Sequence, residues 1–470
     1  MDWELLRIDW LVVADLAVAL PLSAHVLLNK RDPRAAALWL TFLWLLPLAG
    51  ALLYWSFGVN RIARKALRRR AKRARRSGKG EARVRVKGLD ALLRVGNSLS
   101  PDPVVQGNSV ELLRDGDEAY PAMLSAIEGA RRTVGFCSYI FDCDETGRRF
   151  VDALCGAAAR GVVVRLLVDG VGAWGLGPEV RRRLTASGGR MSAFMPSGRW
   201  LKHPGINLRN HRKVLVVDGD TGFTGGLNVS SRHVTADGGP HPESRDAHFR
   251  VRGPVVRHLS DVFRDDWNLA AGEALEGEGW CLDPAPAGDV VARGVASGPD
   301  DTSGRIYELF LGALRAARER VDLMSPYFIP DVAVLEALRV ARLAGVRVRL
   351  LLPLRTDHAF MNWAARGYLP ELVARGVEVW NVGPGFVHSK LAVVDHRWVM
   401  LGSPNLDPRS FFLNFEFVVE AFSEPLARDV VGYMESFLPA ATRVTAATLR
   451  DEPLARRLRN QAVKLFSPFL

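Results

Sequence analysis

One short pattern occurs twice in this chain, and the repetition constrains its fold more than any other feature. His211, Lys213 and Asp218 form H-x-K-x4-D, with Gly225-Gly226-x-Asn228 after it. His388, Lys390 and Asp395 repeat the pattern, followed by Gly402-Ser403-x-Asn405. In both copies the asparagine lies 17 residues after the histidine, and a carboxylate comes later, Asp246 in the first copy and Glu416 in the second. One such pattern in a long chain is a weak signal, whereas two in the same local setting are a strong one. The expected fold is therefore two similar halves.

The residue types say what the halves are for. Val214 to Val217 and Leu391 to Val394 are short apolar runs rich in β-branched residues, which read as buried strands. Residues i and i+2 of an extended chain share a face, so each copy presents an imidazole beside an ammonium. The Gly-x-x-Asn segment turns tightly and lets a carboxamide approach a bound group. Two half-sites facing each other offer two histidines, two lysines and two asparagines, which suits a phosphodiester and is complete without a metal or cofactor. A nucleophile splits one difficult displacement into two, and preorganised cations stabilise the charge that develops.

These motifs resemble those of the phospholipase D superfamily. The resemblance implies two phospholipase D-like α/β/α sandwich repeats with the active site between them. It also implies that one histidine attacks phosphorus to give a phosphohistidine while the other protonates the leaving oxygen. His211, Lys213, Asp218, His388, Lys390 and Asp395 are then the catalytic set, with Asn228, Ser403 and Asn405 on the phosphate oxygens. One histidine must be neutral and the other protonated, so their environments are expected to differ. Asp246 is expected to orient His211, and Glu416 to orient His388. The first copy departs from the second, with Gly226 where Ser403 stands and 35 rather than 28 residues between histidine and carboxylate.

The rest of the catalytic body repeats around the motifs. Met123, Ile127 and Ala130 give a helical pattern, TVGFCSYIFD a strand, RRFVDALCGAAARG an amphipathic helix and VVVRLLVDG a second strand. The second half follows the same order through IYELFLGALRAARER, VDLMSPYFIPD, VAVLEALRVARLAG, VRVRLLLP and ELVARGVEVW. Alternation at this spacing predicts an α/β sandwich with a largely parallel sheet in each half. The domain reading is 1–60 a membrane anchor, 61–88 a polybasic linker, 89–272 the first repeat and 273–289 the acidic, Gly- and Pro-containing connection. The second repeat is 290–450, and 451–470 is an amphipathic tail. Cys137, Cys143, Cys155 and Cys281 have no metal-ligand spacing and read as free thiols.

Residues 10–29 and 35–59 are each long enough to cross a hydrocarbon core at about 20 residues per helix. They predict two N-terminal transmembrane helices. The first carries Asp15, Pro21 and His25, so a tilted or interfacial segment is its alternative. A cleaved signal peptide fits poorly, because Asp2, Glu4 and Asp9 replace a basic n-region. From Arg61 to Lys87 there are 14 Lys or Arg and one acid, a local charge of +13, while the whole chain carries +12. The remainder is thus near neutral at −1. Such a run keeps its side of the membrane cytoplasmic and can hold anionic headgroups. No aromatic interleaves it, which argues against nucleic acid.

The chain is similar to bacterial cardiolipin synthases along nearly its whole length, through KRDPRAAALWL, the LLYWSFG stretch, ESRDAHFRVRGPVV, FRDDW, SPYFIPD and GSPNLDPRSFFLNFE. That resemblance implies phosphatidyl transfer between two phosphatidylglycerols at the bacterial inner membrane, with His211 as nucleophile and His388 as acid and base, or the reverse. The alternatives are a hydrolase, a transferase using another alcohol, and a membrane-anchored lipid-binding scaffold. A nuclease is disfavoured by the anchor and the near-neutral body. Tyr139 and Tyr327, at matching strand ends, are read as lining the mouth or as core aromatics. The approach GRWLKHPGINLRNHRK is read as contacting headgroups, and the tail RRLRNQAVKLFSPFL as lying on the bilayer or docking to the domain. His203, His233, His241 and His358 are read as surface or supporting histidines.

Overall fold

The computed structural model describes residues 10–30, 33–58, 88–172, 176–194, 208–235, 241–300 and 302–467. The polybasic run, His203 and most of the approach to the first motif lie outside the described residues.

The first half contributes β1 (Val105–Arg114), β2 (Thr133–Ser138), β3 (Val163–Asp169), β4 (Arg190–Phe194), β5 (Val214–Val217), β6 (Thr221–Gly225), β7 (Ser244–Arg245) and β8 (Ala247–Arg252). The second contributes β9 (Val290–Ser297), β10 (Arg320–Met324), β11 (Arg347–Pro353), β12 (Glu378–Val382), β13 (Phe386–Val387), β14 (Leu391–Val394), β15 (Trp398–Gly402), β16 (Glu416–Phe422) and β17 (Thr442–Val444). Read outward from the middle, the halves have the same order, β1-β8-β6-β5-β2-β3-β4 against β9-β16-β15-β14-β10-β11-β12, with β17 outermost. β1 pairs with β9 at the junction, so one 15-stranded sheet runs through both halves.

The duplicated α/β architecture is as expected, but the sheet is mixed rather than largely parallel. Only β2-β3-β4 and β10-β11-β12 are parallel. Helices Glu145–Ala159 and Val332–Leu343 make the first crossover of each set, β2 to β3 and β10 to β11. Both start on an aspartate cap, Asp144 accepting from the Gly147 amide and Asp331 from the Val334 amide. The motif strands instead end in tight turns. Asp218 and Gly219 have φ of 53° and 75°, and Asp395 and His396 both have 51°. Two consecutive left-handed residues reverse the chain at once, so β5–β6 and β14–β15 are antiparallel hairpins.

One core crosses the junction. Val256, Leu259, Phe263 and Trp267 of helix Val256–Ala271 belong to the same buried cluster as Val419 of β16 and Val430 and Tyr433 of helix Glu424–Glu435. The 273–289 connection is itself packed, with Trp280 buried and stacked on Phe263 at 5.8 Å.

The N-terminal segment corrects the expectation of two spanning helices. Among the described residues no helix is long and apolar enough to cross a membrane. Trp10–Asn29 is one helix containing Pro21, but the second hydrophobic stretch is split into Pro33–Leu45 and Pro47–Leu53. Leu46 leaves the helical region at φ −135° and ψ 69°, and Pro47 has no N–H to continue the ladder. Val26, Trp39, Leu43, Ala51 and Tyr54 pack together inside, while Leu20, Leu48, Leu52 and Trp55 are exposed.

Candidate active site

Two short parallel pairings at the junction assemble the site. β13 lies beside β7 with Val387 opposite Arg245, so His388 and Asp246 come next to each other. The His388 amide donates to the Arg245 carbonyl at 2.7 Å, and His388 Nδ1 is 2.8 Å from Asp246 Oδ2. In the same way Asn210 bridges Phe415, and His211 Nδ1 lies 3.0 and 3.1 Å from the two carboxylate oxygens of Glu416. Each histidine is thus oriented by the carboxylate of the other half. This corrects the within-half pairing of Asp246 with His211 and Glu416 with His388. The cause is register, since the segment leading into each motif pairs with the segment leading into the opposite carboxylate.

The site is almost wholly buried. Burial lowers the His211 pKa to about 4, although Glu416 pulls the other way. Burial and then the Lys390 ammonium push His388 down, against Asp246. Burial opposes ionisation of Glu416 too, but His211 and Lys213 outweigh it and hold its pKa below the usual range. Asp246 is held low in the same sense by Lys390 and His388. An ionised carboxylate only accepts, so Nδ1 carries the proton on both rings and Nε2 is the atom left for chemistry. Both imidazoles are therefore neutral near pH 7, and the expected contrast between them is not set by burial. The difference lies in the carboxylates. Glu416 also accepts from Ser403 Oγ at 2.5 Å and Asn414 Nδ2 at 3.2 Å, whereas Asp246 Oδ2 serves His388.

Lys213 Nζ donates to the His211 carbonyl at 2.8 Å, and Lys390 Nζ donates to the His388 carbonyl. Each ammonium keeps two further protons for an anion. Burial lowers Lys213 to about 7 and Lys390 to about 8. Asn228 is buried with Oδ1 accepting from the Ile140 amide at 3.2 Å. Asn405 is buried too, and its Oδ1 has no hydrogen-bond partner among the described residues. Ser403 is engaged with Glu416 and with the Phe417 amide at 3.0 Å, so its hydroxyl positions the carboxylate rather than facing a phosphate. At the matching place an added Cβ on Gly226 would stand 2.1 Å from Asp246 Oδ1, so the absent side chain makes room for that carboxylate.

Asp218 and Asp395 are not brought to the imidazoles. They sit at the far end of the motif strand, roughly 16 Å from the lysine at ~3.3 Å per residue. Asp218 accepts from the amides of Arg131, Arg132 and Thr133 at 2.9, 2.7 and 2.8 Å. Asp395 accepts from those of Arg318, Glu319 and Arg320, each at 2.8 Å. Their catalytic assignment is corrected to a structural one, pinning the motif hairpin to the start of β2 or β10.

Other residues complete the site, and of these Tyr139 is marked by its matching strand-end position whereas Arg212 has no pattern to mark it. The Tyr139 ring meets His211 edge-on at 4.9 Å and takes the Lys213 ammonium over its face at 5.2 Å. Arg212 is fully buried, donating to the Glu416 carbonyl, Asp266 and the Ser297 carbonyl, so it ties the halves together beneath the histidines. His233 is buried with its ring centroid 6.4 Å from that of His388 and Nδ1 3.0 Å from the Ser244 carbonyl. Its place depends on the short helix Ser231–His233, which no spacing rule announces. His241 is half-buried, bonding the Pro242 carbonyl, and His358 is exposed beside Tyr327.

A sheet built from two equivalent halves, with two H-K-D motifs meeting at its middle, defines a phospholipase D-type fold and site. The chain matches the family described as "Cardiolipin synthase, PLD-like domain" over residues 123–267 and 310–438, and one described as "Phospholipase_D-nuclease N-terminal" over 17–58. It is 33% identical over 459 residues to the cardiolipin synthase of Alkalihalophilus pseudofirmus, covering 95% of this chain and 91% of the relative. It is 39% identical over 381 residues to cardiolipin synthase A of Pseudomonas fluorescens, covering 81% and 79%. The phosphatidylserine synthase of Haemophilus influenzae has the same fold, with a TM-score of 0.64 at 14% identity over 81% of this chain and all of that one. The chain belongs to the bacterial cardiolipin synthase family of the phospholipase D superfamily.

Proposed function

We propose that the protein is a phosphatidyltransferase that joins two phosphatidylglycerols into cardiolipin and releases glycerol. The crossed pair of carboxylate-oriented imidazoles is the observation that carries this reading. With each Nδ1 tied to a carboxylate, two Nε2 atoms are left to work on opposite sides of one phosphorus. His211 Nε2 attacks phosphorus, and the bond to the glycerol oxygen breaks as His388 gives that oxygen a proton. The second phosphatidylglycerol then offers a hydroxyl. His388 takes its proton, the oxygen attacks phosphorus, and the bond to His211 breaks. The anionic phosphodiester favours the imidazolium form of His388 as it enters. Asp246 Oδ2 accepts from His388 alone while Oδ1 takes the Ala247 amide at 2.8 Å, which suits the group that must hold that proton, whereas both oxygens of Glu416 are shared among the side chains of His211, Ser403 and Asn414. Lys213, Lys390, Asn228 and Asn405 supply the donors for the non-bridging oxygens.

Trapping the covalent intermediate tests the roles. His388→Ala incubated with phosphorus-labelled phosphatidylglycerol is expected to accumulate an acid-labile phosphoenzyme, and His211→Ala to accumulate none. The opposite pattern reverses the assignment.

The 89–272 and 290–450 halves form the catalytic body, and the N-terminal helices associate it with the bacterial inner membrane, catalytic halves on the cytoplasmic side. The outward-facing Leu20, Leu48, Leu52 and Trp55 and the polybasic run support that association. A hydrolase is the second reading, because water and an alcohol attack a phosphohistidine alike.

A further inference from the structure

We propose that the C-terminal helix is a lipid-contacting surface that sets the mouth of the active site on an anionic bilayer. Helix Leu454–Lys464 is firmly docked on the body. Gln461 Nε2 donates to the Gly367 carbonyl at 3.0 Å, and the Tyr368 hydroxyl bonds Ser467 Oγ at 2.8 Å. The Arg459 guanidinium lies 4.3 Å over the Trp363 ring, and the Lys464 ammonium 4.1 Å over Tyr368. This docking buries Asn460 and Val463.

The outer face is the reverse of what water selects. Leu454, Leu458 and Leu465 are 67%, 61% and 76% exposed. They recur at i, i+4 and i+11, hence on one stripe, opposite the buried Asn460 and Val463. Exposed Phe466 and Phe360 extend the stripe, and their rings lie 6.4 Å apart. Arg457 is exposed at the edge of the stripe, about 60° round from Leu454, and Arg456 is exposed farther round the same helix. Leucines facing out with a cation alongside fit the boundary between acyl chains and anionic headgroups. The cation can lay its stem on the apolar surface and keep its charge at the headgroups.

The surface is continuous with the catalytic centre. Phe360 follows His358 by two residues, and the His358 ring is 6.1 Å from Tyr327. Tyr327 is 6.4 Å from Phe386, which is 5.4 Å from His388. A substrate leaving the bilayer at this helix therefore meets aromatic side chains all the way to His388. The inference rests on the proposed action on phosphatidylglycerol, and its test separates the two.

The full-length protein is assayed on phosphatidylglycerol in two forms, a short-chain lipid kept below its micelle concentration and a long-chain lipid at varied mole fraction in mixed micelles. A Leu458→Ser, Leu465→Ser, Phe466→Ser triple variant is expected to need roughly tenfold more long-chain lipid per unit surface for half its maximal rate. Its rate on the dispersed lipid should stay within about twofold of the parent, which also shows that it folds. Arg457→Glu should weaken use of anionic surfaces and lose its effect at high salt. Equal losses on both lipid forms, or none on either, would overturn the proposal, as would a triple variant that changes only the sedimentation of the protein, which would assign the stripe to a second copy. A parent protein inert toward both lipid forms would strike the functional reading instead.

Discussion

The two motif aspartates offer the sharpest contrast between what a motif suggests and what the geometry does. Asp218 accepts three backbone N–H groups, from Arg131, Arg132 and Thr133, and holds the β5–β6 turn against the start of β2. Hydrogen bonds to a charged acceptor contribute about 1.5–3 kcal/mol each when protected from water. Two of the three donors are exposed, so water replaces much of that, and the set is better placed at about 3 kcal/mol in all. Asp218→Asn keeps one acceptor oxygen and tolerates φ of 53°, since asparagine visits the left-handed region readily. It removes the charge and the acceptor for the exposed Arg131 amide while the bonds from Arg132 and Thr133 to Oδ1 remain, so the loss should be about 2 kcal/mol. At about 2.1 cal/mol/K per residue over the roughly 360 residues of the two joined halves, each kcal/mol moves the midpoint by about 1.3 °C, so the apparent melting midpoint falls by about 2–3 °C. The assay pairs thermal unfolding in detergent with initial rates well below the transition. Asp218→Asn should retain kcat within about threefold while His211→Asn abolishes turnover at an unchanged midpoint. An Asp218→Asn protein with full thermal stability and a hundredfold loss of kcat would refute the structural role. Asp395→Asn should behave the same way.

The crossed orientation predicts that Glu416→Gln disables His211 and Asp246→Asn disables His388, each by about 10²–10⁴ in kcat, the range expected when an imidazole loses its tautomer-setting carboxylate. Adding Glu416→Gln to His211→Ala should then cost almost nothing more, and a further large loss would place Glu416 with the other histidine. Gly226→Ser, which mimics Ser403 at the matching position, should lower kcat by at least tenfold, because the new Cβ collides with the Asp246 carboxylate. Activity at the level of the parent would show that carboxylate to be free to move. For pH, His211 is held neutral down to about 4 while His388, whose pKa is also pushed down, must gain the proton it donates, so kcat/KM should rise rather than fall as pH drops below 6, and deprotonation of Lys213 and Lys390 should lower it as pH rises through about 7–8. An acid limb near 6.5 would mean that burial does not shift the nucleophile.

Much of this was legible because duplication leaves its trace in spacing. The two H-K-D runs, the Gly-x-x-Asn turns and the helix stops at Gly161 and Gly345, both left-handed at φ of 91° and 86°, recur in order. Matching strands and helices therefore fell where periodicity placed them. What spacing does not carry is which segment lies beside which across the junction. Asp246 comes 35 residues after His211 but 142 before His388, and only the β7–β13 ladder reveals that the longer separation is the real neighbour. The role of Asp218 depends equally on a loop 85 to 87 residues earlier. The N-terminal correction has a different origin, for hydropathy averages over a window and passes smoothly across Leu46-Pro47, where backbone geometry stops the helix. Ser403 and Gly226 look interchangeable in the motif, yet one bonds its carboxylate and the other makes room for it.

The most direct measurement supplies purified, detergent-solubilised protein with phosphatidylglycerol as the only lipid and follows products by mass spectrometry. Two crossed histidines performing phosphatidyl transfer predict cardiolipin and glycerol in equal amounts, both lost on His211→Ala. Phosphatidic acid as the main product, or cardiolipin that persists without His211, would contradict it.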